Sequence, residues 1–152
     1  MKSKPKIHIV SQSKFPKYAR KIKGLQGCQY GNQIYVRKDA RDVEAIKQHE
    51  LYHIKKRHPL NPRKASDYID QELDANLYAK NKTGLHKHIK HRIVGIATSV
   101  RDDYKMPIRK TVRLVAKEMR RKDVPREWKD DFNHVVGKQL YKGKRLPKDL
   151  RL

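Results

Sequence analysis

The chain has 152 residues, the size of one domain, and carries 39 Lys and Arg against 16 Asp and Glu, a formal charge of +23. It contains no run of about 18 apolar residues that could cross a bilayer, and its basic N-terminal stretch lacks the apolar centre and small-residue cleavage site of a secretory leader. A single cysteine, Cys28, excludes an internal disulfide and any multi-cysteine zinc site.

These exclusions give the expectation of a cytoplasmic protein in a reducing compartment, without a membrane segment. Apolar residues make up only 36% of the chain, but they recur at strand and helix periods, so the chain is read as folded. The charge speaks of partners and not of fold: it attracts polyanions, nucleic acid above all, or acidic proteins. Residues 1–38 hold ten Lys and Arg, and the first carboxylate is Asp39. Basic residues continue to the end of the chain, which favours a basic domain over a domain with a basic appendage.

In chain order, Lys6–Val10 alternates as a short strand and Phe15–Ile22 reads as a short helix. Cys28–Tyr30 and Gln33–Val36 flank Gly31-Asn32, a dipeptide that accepts the positive φ of a hairpin turn. Gln33–Val36 is also read as a free sheet edge, to which an extended peptide could add. Asp39 or Asp42 caps a helix whose apolar residues Val43, Ile46 and Ile54 recur at helical spacing, and Pro59 stops it. Ser66 is the expected cap of a second helix, with Ile69, Leu73 and Leu77 along one stripe and Gly84 as its terminator.

Further helices are expected over 86–100, from Pro107 with Val112, Val115 and Met119, and from Pro125 with Trp128, Phe132, Val135 and Val136. The expected architecture is α+β: a small N-terminal antiparallel sheet packed on the first long helix, then several helices. Residues 1–142 are read as a single domain with a helical C-terminal half, and 143–152 as a frayed basic tail.

Residues 49–53 read His-Glu-Leu-Tyr-His, an HExxH. On a helix, positions i and i+4 share a face one turn apart, so two imidazoles can converge on one ion at the 2.0–2.1 Å bonds that zinc makes to nitrogen. Glu50, about 100° around the helix from His49, is placed to act as a base on a metal-bound water and not as a third ligand. A catalytic zinc needs a third protein ligand. The segment Asp70-Gln71-Glu72-Leu73-Asp74-Ala75-Asn76 offers Glu72, with Asp70 as its rival. Asn76, one turn beyond Glu72, can accept the proton on the far nitrogen of His49 or His53, with Asp74 as the rival for that role.

The HExxH of residues 49–53, together with Glu72-Leu73-Asp74-Ala75-Asn76, resembles the gluzincin metallopeptidases, and among them the compact ImmA/IrrE-like group of phages and mobile elements. That group shows a strand, a helix bearing HExxH and a second helix reading E-x-x-A-N or E-x-x-A-D. The resemblance implies a zinc site of His49, His53 and Glu72, with Glu50 as general base and Asn76 as the outer partner of a ligand histidine. It further implies a zinc-dependent endopeptidase that hydrolyses peptide bonds with metal-activated water. Its substrates would be proteins or peptides, such as nucleic-acid-associated or phage and mobile-element regulatory proteins. Tyr68, Tyr78 and His58 are candidates for steadying the oxyanion. The alternative is a non-enzymatic, basic nucleic-acid-binding protein whose zinc site is structural or degenerate.

Other features carry blander readings. His86, His88 and His91 stand among lysines with no carboxylate nearby, as on a solvated basic helix. Cys28 reads as an incidental or buried thiol, and Trp128 with Phe132 as core.

Overall fold

The computed structural model describes residues 3–84, 89–141 and 145–152. Strands β1 (Lys6–Val10), β2 (Gly27–Tyr30) and β3 (Gln33–Arg37) come first, followed by helices α1 (Val43–Lys56), α2 (Ala65–Thr83), α3 (Ile89–Asp103), α4 (Ile108–Met119) and α5 (Arg126–Asp131). From α5 the chain passes through a π-helical turn, Phe132–Val136, into a last helical turn, Gly137–Leu140. The α+β class is as expected. Two compact units emerge: Met1–Pro59 with Ala75–Leu85, and Leu60–Asp74 with His86–Leu152.

In the first unit the sheet is mixed, in the order β1-β3-β2, and not antiparallel throughout. The hairpin forms as its sequence dictates, with β2 and β3 antiparallel and the positive φ at Gly31 (+58°). β1 then adds in parallel to the other side of β3, Ile7 opposite Ile34 and Ile9 opposite Val36. The expected free edge at Gln33–Val36 therefore does not exist: β3 is the central strand, and β1 and β2 are the edges. The segment between β1 and β2 does not form the helix expected over Phe15–Ile22. Pro16 divides it into two short 3-10 turns, Gln12–Lys14 and Lys17–Ala19.

Each sheet face has its own core. Ile34 and Val36 point to one side, where they bury Ile46 of α1 with Val43, Leu51 and Ile54. Phe15, Ala19 and Cys28 close the other side with Val10, Leu25 and Tyr35. Asp42 caps α1 by accepting from the Ala45 N–H at 3.2 Å. The helix ends at Lys56, before the proline expected to stop it. Arg57 takes the left-handed conformation (φ +55°), and the His58 N–H turns back onto the His53 carbonyl at 3.0 Å. Gly84, also left-handed (φ +67°), closes α2 by donating to the Lys80 carbonyl at 2.7 Å.

In the second unit α3 packs against α4, α5 and the π-helical turn. α4 opens at Pro107 and buries Val112, Val115, Ala116 and Met119 on one stripe. Trp128, Phe132 and Val136 are fully buried core residues. Ser66 does not cap α2, which begins one residue earlier; the Tyr68 N–H already bonds the Lys64 carbonyl. Residues 145–152 are not frayed: Leu146 and Leu150 are buried and Lys148–Leu150 forms a 3-10 turn. Two apolar side chains four apart outweigh the surrounding charge. Among the described residues, no helix is long and apolar enough to cross a membrane.

Candidate metal centre

The helical i, i+4 spacing does bring the two histidines of the HExxH together. Both are buried, and their Nε2 atoms face each other at 3.0 Å. Two nitrogens bound to one tetrahedral zinc at about 2.0–2.1 Å stand roughly 3.3–3.4 Å apart, so little movement is needed to share an ion. His49, His53 and Glu72 each offer a donor atom within 4.8 Å of the others. Two imidazoles and a carboxylate form a borderline donor set suited to zinc.

Asn76 is nearly fully buried, and its Oδ1 lies 2.7 Å from His49 Nδ1. A carbonyl oxygen only accepts, so His49 carries its proton on Nδ1 and presents a lone pair on Nε2, as a metal ligand requires. His53 has an outer contact of its own: its Nδ1 faces the Nδ1 of His58 at 2.9 Å. The spacing gave His58 only as an oxyanion candidate. Its place beside His53 comes from the left-handed turn at Arg57, which folds the chain back over the last turn of α1.

Asp70 and Asp74 lie elsewhere, which corrects their candidacy as ligand and outer partner. Each is two residues from Glu72, about 200° around the helix. Asp74 accepts from Arg121, and Asp70 lies 3.6 Å from the same guanidinium. Arg121 also pairs with Asp123 at 2.6 Å. Burial, then hydrogen bonding to Asp70, pushes the Glu118 carboxyl up to about 7.

Glu50 lies on the sheet side of α1. Its Cγ would be 3.8 Å from a side-chain carbon at Gly27 of β2. Its charge adds to burial in pushing the Cys28 thiol up to about 11, and it raises the Tyr18 phenol in the same way. Tyr18 lines an open cleft of about 760 Å³ with Pro16, Lys17, Tyr30, Gln33 and Tyr35.

Of the oxyanion candidates, Tyr78 is packed against Tyr52 with Lys55 and Lys82 over its ring. The Tyr68 phenol is held high by burial first and by the Glu72 charge second. The side chains of His86, His88 and His91 lie outside the described residues. Comparison with protein-family models, with curated proteins and with solved structures finds no match for this chain.

Proposed function

We propose that this chain is a zinc-dependent endopeptidase of gluzincin type, with His49, His53 and Glu72 holding the ion and Glu50 as the general base. One observation carries the reading: three donors of the right chemistry converge within 4.8 Å, and one of them is already set in its ligand tautomer by a buried amide. Held by His49, His53 and Glu72, a zinc ion would supply Lewis acidity to the site. Glu50 takes the proton of the attacking water and returns one to the leaving amine. Tyr68, one helical turn before Glu72 on α2, is the residue we assign to the developing oxyanion.

The test is metal content together with cleavage of an unstructured protein such as casein. The purified chain should hold one zinc. Glu50→Gln should keep the zinc and lose cleavage, while His49→Ala should lose both. Cleavage retained in Glu50→Gln would show that the base is wrongly assigned.

The charge of +23 supports a second reading, a nucleic-acid-binding protein in which the metal centre only braces the fold. A steep fall in affinity for single or double strands with rising salt, with no metal-dependent cleavage, would favour it. The same charge leads us to place acidic or nucleic-acid-bound proteins among the substrates of the enzyme. A cleavage rate that does not change with salt would count against that step.

A further inference from the structure

We infer that His58 is a positioning residue for His53, holding it in the tautomer that offers Nε2 to the ion; this rests on the metal-centre reading above. A neutral imidazole carries one proton. For the His53 Nε2 lone pair to face the ion, its proton must sit on Nδ1 and be received there. The atom found at that position is His58 Nδ1, at 2.9 Å. His58 then accepts on Nδ1 and carries its own proton on Nε2. Of the two ways the proton can lie between the facing Nδ1 atoms, metal binding selects the one with the proton on His53. The balance closes without a charge change: His53 Nε2 gives up one proton, His58 Nε2 gains one, and both rings stay neutral.

The geometry around His58 is built for this task. Arg57 adopts a left-handed backbone, uncommon for a residue with a side chain, and this brings the His58 N–H onto the carbonyl of His53 itself. His58 is thus tied to His53 twice, through the main chain at 3.0 Å and through the ring at 2.9 Å. The Tyr52 ring meets the His58 ring edge-on, with centroids 5.7 Å apart, and limits its rotation. The arrangement parallels that on the other ligand, where Asn76 receives the Nδ1 proton of His49. Behind each ligand imidazole therefore stands a group able to accept its Nδ1 proton when the ion is bound, an amide in one case and an imidazole in the other.

The experiment is zinc affinity by chelator competition on the full chain, comparing wild type with His58→Phe, His58→Ala and His58→Asn. Phenylalanine keeps a ring against Tyr52 but has no acceptor, whereas asparagine keeps an acceptor without the ring. The expected result is a loss of about 10- to 100-fold in affinity for His58→Phe and His58→Ala, with most of it recovered in His58→Asn. Nitrogen-15 spectra of the zinc-loaded wild type should show the His53 proton on Nδ1 and the His58 proton on Nε2. Wild-type affinity in His58→Phe, or the opposite tautomers, would overturn the inference and leave the metal centre standing. Loss of the fold in both His58→Phe and His58→Ala would also overturn it, since His58 would then support the chain and not the ligand. A wild-type chain that binds no zinc would remove the metal-centre reading and this inference together.

Discussion

Asn76 receives the Nδ1 proton of His49 across 2.7 Å, and both side chains are buried. Truncation at this point leaves a buried imidazole N–H without its acceptor. Asn76→Ala should lower zinc affinity about 10- to 100-fold and cost the apo chain about 1–3 kcal/mol. Asn76→Asp keeps an acceptor at the same reach and should retain zinc. Chelator competition and thermal melting of the two variants check both statements, and equal affinities for wild type and Asn76→Ala would contradict the first.

Gly27 sets how closely β2 and α1 approach. A Cβ at this position would overlap the Ile46 Cγ2 methyl and stand 3.2 Å from the Tyr35 carbonyl oxygen. Ile46 is 3% exposed and has nowhere to retreat. Gly27→Ala should therefore destabilise the chain by about 1–3 kcal/mol through overpacking. Because Glu50 lies on the same flank of α1, activity should fall by more than the loss of folded protein accounts for. Melting temperature and specific activity, measured on the folded fraction, separate the two effects.

Cys28 offers a chemical reading of where Glu50 sits. Burial first, and the Glu50 charge as well, hold its thiol near 11, with Tyr18 hydrogen bonding working the other way. An acid raised in this way keeps its proton longer in the folded chain. Alkylation by iodoacetamide should rise about tenfold per pH unit through pH 9, without the levelling near 8.5–9 of an ordinary thiol. Glu50→Gln removes one of the raising charges, so alkylation at a fixed pH should become faster. An unchanged rate in that variant would place Glu50 away from β2.

Leu146 and Leu150 are buried within a terminal segment, 143–152, half of whose residues are charged. Leu150→Ala should cost about 2–5 kcal/mol, as for other large-to-small changes in a core. Urea unfolding would show it as a shift of midpoint with little change of slope. A loss under about 0.5 kcal/mol would mean that the segment is only loosely attached.

Much of the site was legible because helical geometry is local. HExxH alone places His49 and His53 on one face, and Asn76 follows Glu72 by one turn. The same arithmetic separates Glu72 from Asp70, its rival as ligand, and from Asp74, the rival of Asn76, by about 200°, and in the folded chain Arg121 pairs with both aspartates. That arginine is 47 positions from Asp74 and has no pattern linking it to the acid. Long-range pairing was illegible for the same reason: nothing in Lys6–Val10 says that it adds parallel to β3. The tail reads as frayed because its charges outnumber its three leucines, although burial is decided by two of them, Leu146 and Leu150. His58 was visible as a residue, but its place behind His53 depends on a left-handed arginine, which sequence propensity argues against.

Helix α2 spells Asp70, Glu72, Asp74 and Asn76 at every second position, an alternation more familiar from strands. Wound at 3.6 residues per turn, it deals the four side chains alternately to opposite sides: Asp70 and Asp74 toward a guanidinium, Asn76 toward an imidazole with Glu72 on its side. The two allegiances are therefore locked in phase. Deleting a single residue between Glu72 and Asn76 would turn everything beyond it by about 100°, and Asn76 would lose its histidine and its one-turn spacing from Glu72. A change of length in this stretch of chain cannot be absorbed by one side alone.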